Sequence, residues 1–274
     1  MNLWALGTGE SLNIYAKYIK DLNHHNTLAF QKCFPYCYKY FGLVPKFWFN
    51  ADPNSALDGL KFLQETTEKE KFKSMKIFVP HFAYDTYAYF RMYCGTTPLG
   101  SLPTGWDNYI NNLKLVEKMG YNIERFDCTT TKYSALVESA PENAERFTYK
   151  KPIFGTVPYD SDCVDGTRFK WGLESKLTSA VFPLAHMLQA RKLFIMGFDM
   201  VGNRFFEGQS GDARHPWADE TQAKSQHAFP LSIIKKWVSW KNYHNIEFYN
   251  VVEDSHTLLN AVVPYVKIEE ALNV

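Results

Sequence analysis

The sequence predicts an α/β protein with a doubly wound, mostly parallel, Rossmann-like sheet and a lid subdomain. Three observations carry this. Apolar runs of strand length alternate with amphipathic runs of helical length along most of the chain. Two of the strand-like runs end in glycine-bearing turns, Leu3-Trp4-Ala5-Leu6 before Gly7-Thr8-Gly9 and Leu193-Phe194-Ile195-Met196 before Gly197-Phe198-Asp199. Residues 201–226 are polar, carry glycine and show no periodicity. A stretch of that length without its own secondary structure is expected to be a working loop, a lid or a disordered segment.

The elements follow in order. After the first strand, a helix is predicted from Ser11 to about Leu22. Thr27 to Gln31 reads as a second strand, and Phe34 to Gly42, rich in aromatics, as a helical turn. Lys46 to Asn50 (KFWFN) is a third strand ending in an asparagine. Pro53 opens a helix toward Thr66, since proline is tolerated in the first helical turn. Lys76 to Val79 is a fourth strand, followed by helices near 84–93 and 106–119. Tyr121 to Phe126 is a fifth strand. Residues 127–170, with scattered Pro, Gly and Asp, show no readable pattern.

The stretch from Ser175 to Met200 reads as polar turn, helix and strand. Ser225 to Tyr243 is an amphipathic helix with Phe229, Ile233, Trp237 and Trp240 on one side. Ile246 to Val251 is a last strand, and Lys267 to Val274 a short helix. The chain of 274 residues is long enough for one domain spanning 1–274, with 201–226 as an insertion within it.

Composition narrows the function. Thirty basic and 29 acidic residues leave a net charge of +1, which gives no electrostatic reason to favour nucleic acid or an anionic membrane. Five cysteines in no CxxC spacing fit reduced thiols and a cytoplasmic location. No apolar run approaches the length of a membrane span, and Asn2 to Leu6 is too short for a signal peptide.

Several residues could carry chemistry. Ser175, Lys176, Thr178 and Ser179 precede an apolar helical pattern, and hydroxyls with a lysine at a helix start suit an anion. Asp199 places a carboxylate at a strand's C-terminal end, where ligands of open α/β sheets bind. Gly7-Thr8-Gly9 is either a turn that lets backbone approach a nucleotide or a plain strand-to-helix turn. Leu12 stands where a dinucleotide fingerprint needs its third glycine. Asp160-Ser161-Asp162 has the DxD form of a metal-diphosphate site, although acids at this spacing also arise by chance. Among the eight histidines, His24 and His25 are expected at the surface and His186 in the core. His227 sits where the lid meets the amphipathic helix, a place for a general base. No His/Cys cluster supports a metal site.

In this order, GTGESL, KFWFN-x-x-P, KLTSA, FIMGFD, a long loop and a histidine resemble the bacterial sialyltransferases of glycosyltransferase family 42. That family uses CMP-N-acetylneuraminic acid. The resemblance implies an inverting, metal-independent glycosyltransferase with a CMP-sugar-like, sialic-acid-type donor. It implies donor contacts at Gly7, Gly9, Ser11, Asn50, Lys176, Thr178, Ser179 and Asp199, with His227 as catalytic base. The implied partners are a nucleotide-sugar donor and a glycan-type acceptor, with no cofactor. Lysine 176 replaces the family's arginine, and Val201 to Phe206 has no tyrosine where the family places one. The asparagine that the family carries at its second strand is replaced near Phe34.

Two other readings remain. One is a nucleotide-dependent diphosphokinase related to motility-associated glycosylation factors and archaeal pterin diphosphokinases. It would need Mg2+, with Asp160, Asp162 and Asp165 as candidate ligands. The other is a non-catalytic nucleotide-binding module.

Overall fold

The computed structural model describes residues 1–50, 53–80, 106–126, 177, 181–200, 205–206, 231–232, 234–235, 237–239 and 245–274. They form a seven-stranded sheet, β1 (Asn2–Leu6), β2 (Asn26–Phe30), β3 (Phe47–Phe49), β4 (Lys76–Pro80), β5 (Asn122–Phe126), β6 (Lys192–Met196) and β7 (Glu247–Asn250). Every pairing is parallel. The spatial order is β5-β4-β3-β2-β1-β6-β7. The α/β, Rossmann-like architecture is therefore the one the alternating pattern predicts. Leu3 to Leu6, Thr27 to Phe30 and Leu193 to Met196 are buried throughout, because a parallel sheet is covered on both faces and its strands read as unbroken apolar runs.

The strand order runs outward from β1 to β5 and then returns to the other side of β1 for β6 and β7. Right-handed crossovers fix which face each connection covers. By that rule the successive steps from β1 to β2, β2 to β3 and β3 to β4, all in one direction across the sheet, cover the same face. The order thus reverses between β1 and β6, whose C-terminal ends are Leu6 and Met196.

Helices flank the sheet as α1 (Ser11–Ile14), α2 (Ala16–Ile19), α3 (Cys33–Phe41), α4 (Pro53–Glu65), α5 (Trp106–Lys118), α6 (Phe182–Met187) and α7 (Ile268–Leu272). The single helix expected over 11–22 is broken at Tyr15, which leaves helical dihedrals, and its end is a 3-10 turn over Lys20–His24. Tyr15 is buried, and its hydroxyl accepts the Glu253 N–H at 3.2 Å. The aromatic run after β2 is a full nine-residue helix rather than one turn, closed by Gly42 in the left-handed region. Its buried thiols, Cys33 and Cys37, lie one turn apart with their sulfurs 3.2 Å from each other. The helix expected near 84–93 lies outside the described residues.

Two histidines differ from expectation. His186 is exposed on α6, not in the core. The buried stripe of that segment is centred on Val181, Leu184 and Ala185, and at 3.6 residues per turn His186 falls outside it. His25 is half-buried rather than exposed, its ring edge-on to Trp4 at 5.8 Å, and burial lowers its pKa. No helix among the described residues is long and apolar enough to cross a membrane.

Aromatic packing fills the layer between sheet and helices. The Trp48 ring on β3 lies 4.8 Å from Phe34 of α3, which in turn meets Phe62 and Phe72 edge-on. Trp48 also donates its indole N–H to the Gln31 carbonyl at 2.9 Å. Gly59 of α4 faces this ring so closely that a Cβ there would sit 2.6 Å from it. Alanine in a helix gains about 1 kcal/mol over glycine. Forcing a methyl into a packed core costs about 1–3 kcal/mol. The Gly59→Ala variant should therefore lose stability despite its better helix propensity, as urea unfolding would measure. A stabilised variant would mean that the Trp48 ring has room to move.

Candidate functional site

The parallel sheet gathers the ends of β1, β2, β3 and β6 along one edge, and the residues just past them form the site. Beyond β1, the Gly7 N–H donates to the Met196 carbonyl at 2.9 Å and the Gly9 N–H to the Gly197 carbonyl at 2.6 Å. The two backbones meet so tightly that a Cβ on Gly7 would collide with the Gly197 carbonyl oxygen. Gly197 itself has φ +73°, a conformation open to glycine at no steric cost. This explains both glycines without invoking a dinucleotide fingerprint.

Ser11 and Asp199 meet directly across this switch point. The Ser11 hydroxyl donates to Asp199 Oδ1 at 2.6 Å and its N–H to Asp199 Oδ2 at 2.9 Å. Gly9 is pressed against the same carboxylate, which a Cβ would overlap. Asp199 is only 3% exposed. Burial pushes its pKa up from 3.8 to about 6. The Ser11 bonds oppose that rise, and the Glu10 charge adds to it. On the backbone side, the Asp199 carbonyl accepts the Leu258 N–H at 3.0 Å and the Thr257 hydroxyl at 3.3 Å.

Asn50 stands at the end of β3, where the KFWFN run places it. Its backbone N–H continues the ladder to the Phe78 carbonyl at 2.9 Å. Its side chain is fully buried, and among the described residues neither its amide nitrogen nor its amide oxygen has a hydrogen-bond partner. An orphaned buried polar group costs about 1–3 kcal/mol. Such a group in a native fold calls for an explanation, and a ligand that completes it is one.

Sequence reasoning missed two features of this edge. Gln31 follows β2, is buried and has φ 47°. Its signal was available, because an amide side chain ends the second strand just ahead of Phe34. Met200, immediately past Asp199, has φ 61°. Left-handed backbone at residues other than glycine collects at functional sites. The second missed feature is Phe205, whose N–H donates to the Thr8 carbonyl at 3.0 Å and whose carbonyl accepts the Asn13 amide at 2.8 Å. Nothing in the sequence pairs residues so far apart.

Gly7, Gly9, Ser11, Asn50 and Asp199 thus lie along one sheet edge. His227, Lys176, Thr178 and Ser179 lie outside the described residues, as do Asp160, Asp162 and Asp165 and all of the 201–226 segment except Phe205 and Phe206. Among the described residues no group of three or more His, Cys, Asp or Glu side chains could hold a metal ion. The chain matches no known protein family, no curated protein and no solved structure.

The raised pKa of Asp199 has a consequence for stability. In the folded protein this carboxyl keeps its proton up to about pH 6, whereas unfolded it loses it near 3.8. Its favourable contribution is full below pH 3.8 and is lost as pH rises through 6, an interval worth roughly 3 kcal/mol. Asp199→Asn has no such titration. Relative to wild type, the variant should gain about 1–3 kcal/mol of unfolding free energy between pH 4 and pH 7. Parallel stability curves for the two proteins would contradict the assignment.

Proposed function

We propose that this chain is a glycosyltransferase that binds a nucleotide-activated sugar across the β1–β6 switch point. The observation that carries this reading is the Asn50 amide, buried and unpartnered on the same edge as the half-exposed Thr8-Gly9 turn. Open α/β sheets bind ligands outside the strand ends where the order reverses. A nucleoside offers the donors and acceptors that the Asn50 amide lacks. The ordered motif resemblance supplies the reaction class and the CMP-sugar-like, sialic-acid-type donor.

In this mechanism, an acceptor hydroxyl attacks the anomeric carbon from the face opposite the nucleotide. A carbon–oxygen bond forms to the acceptor as the bond to the donor phosphate breaks, and the configuration inverts. His227 takes the hydroxyl proton. The bond's electron pair leaves with the nucleotide phosphate, which Lys176, Thr178 and Ser179 stabilise. A positioned base contributes about 10²–10⁴-fold, so charge stabilisation on the leaving phosphate carries much of the remainder. A monophosphate leaving group asks for less neutralisation than a diphosphate, consistent with metal-independent transfer. The partners are the nucleotide-sugar donor and a glycan-type acceptor.

A thermal-shift panel of CMP, UDP, GDP and ATP, with magnesium or with EDTA, tests the reading. Preferential binding to the folded state raises stability by RT ln(1 + [L]/Kd). CMP should give a shift that EDTA leaves intact and that Asn50→Ala reduces. His227→Ala should bind CMP normally and lose transfer. A shift seen only with ATP and magnesium would replace this reading with a diphosphokinase. CMP binding without transfer or donor hydrolysis would leave a binding module.

A further inference from the structure

The Asp199 carboxylate is placed to shape the turn from behind. Its oxygens are engaged by the Ser11 hydroxyl and N–H, and Gly9 lies against it. Both Ser11 and Asp199 are almost wholly buried, whereas Thr8 and Gly9 are half-exposed. A ligand reaching this edge therefore meets the turn and not the carboxylate. Asp199 is in turn fixed through its own carbonyl by Leu258 and Thr257. It bridges the C-terminal segment and the β1 turn.

We infer that Asp199 is a positioning residue whose ionised carboxylate holds the Gly7–Ser11 turn in its ligand-accepting shape, and that protonation releases Ser11. The chemistry follows from the two bonds. Ser11 supplies a hydrogen to each oxygen of the ionised group, and such charge-assisted bonds are roughly twice as strong as neutral ones. Each carboxylate oxygen keeps a second lone pair beside the one Ser11 uses, so a proton can enter on either, and wherever it sits the negative charge is gone. A proton on Oδ1 that donates to the Ser11 oxygen reverses that bond and takes the acceptor from the serine hydrogen. The bond from the N–H to Oδ2 loses its charge assistance at the same time.

The neighbours set where this happens. Glu10, on the turn itself, adds like charge that favours the protonated form. The C-terminal segment meets Asp199 with the Thr257 hydroxyl and the Leu258 N–H, both directed at its backbone carbonyl. Among the described residues no cation is paired with the carboxylate. The switch therefore falls near pH 6, as burial and Glu10 dictate.

Two measurements on the full chain test this. The first needs no ligand. The backbone amide resonance of Ser11 should titrate with a midpoint near pH 6 in wild type. It should be flat in Asp199→Asn, and in Ser11→Ala the residue-11 amide midpoint should move to higher pH, because one hydrogen bond to the charged form is gone. Ser11→Thr, which restores the hydroxyl, should return it. The second measurement uses CMP as probe and rests on the nucleotide-binding reading above. Wild type should bind CMP about tenfold more weakly at pH 5 than at pH 7.5, and Asp199→Asn should bind weakly with no step between those values. A Ser11 amide that does not titrate overturns the inference. So does a CMP affinity with the same pH profile in wild type and Asp199→Asn. If CMP binds at no pH, the proposed function falls while the Ser11 titration still decides the role of Asp199.

Discussion

Gly7 and Gly197 meet backbone to backbone where β1 and β6 end, and the geometry of the edge depends on that approach. A Cβ on Gly7 would overlap the Gly197 carbonyl oxygen, and one on Gly197 would sit 3.0 Å from that of Gly7. With neither present, hydrogen bonds between the two chains continue past the strands, from the Gly7 N–H to Met196 and from the Gly9 N–H to Gly197. That extension brings Ser11 and Asp199 within hydrogen-bonding distance although 188 residues separate them. It also sets a half-exposed turn above a buried carboxylate. A strand pair that diverged at Leu6 would leave the turn and the aspartate on separate loops, with no shared geometry.

Unfavourable terms gather at this edge without being confined to it. The cluster of Phe34, Trp48, Phe62 and Phe72 is aromatic throughout, whereas the Trp4 indole N–H and Asn250 Oδ1 are buried without a hydrogen-bond partner among the described residues, and Gln189 is left-handed away from the edge. At the edge, again among the described residues, stand a carboxylate buried without a cation, an amide buried without partners and two left-handed residues that are not glycine. Each costs on the order of 1–3 kcal/mol. Together they amount to a large part of a typical net stability of about 5–15 kcal/mol. Burial of the aromatic core makes that concentration tolerable. A protein under pressure for stability alone would satisfy or replace these groups, which is why the proposal above is built on this edge.

Legibility in the sequence followed physical range. β1, β2 and β6 are central strands buried on both faces, so each announced itself as an unbroken apolar run. Pro53 marked the start of α4, and KFWFN put Asn50 at a strand end. These signals are local. α3 was underestimated because Pro35 and five aromatic residues mask a helical pattern, although proline is tolerated in a first turn. Tyr15, where the helix breaks, bonds Glu253, and Ser11 bonds Asp199 across the β1–β6 pairing. No window of sequence contains either interaction. The candidates were legible one by one. Their division into a half-exposed Thr8-Gly9 turn and a buried Ser11–Asp199 pair beneath it was not.

That division extends one step further along the chain. After Asp199 the backbone passes Met200 in the left-handed region and reaches Phe205, which exchanges hydrogen bonds with Thr8 and Asn13. The Phe205 and Phe206 rings then pack on α3, with Phe206 stacked on Tyr36 at 4.2 Å and Phe205 against Phe41 at 5.5 Å. The turn is therefore held from two sides, by Asp199 beneath it and by Phe205 beside it, and both belong to the segment that follows β6. Hydrophobic anchoring of Phe206 fixes that segment on α3, and α3 begins where Gln31 ends β2. A displacement of the turn must be accommodated at Asp199 and Phe205 together, because packed interiors give little. The same argument makes Asp199 and Phe205 joint supports of the turn, although the sequence places both after β6 and the turn after β1.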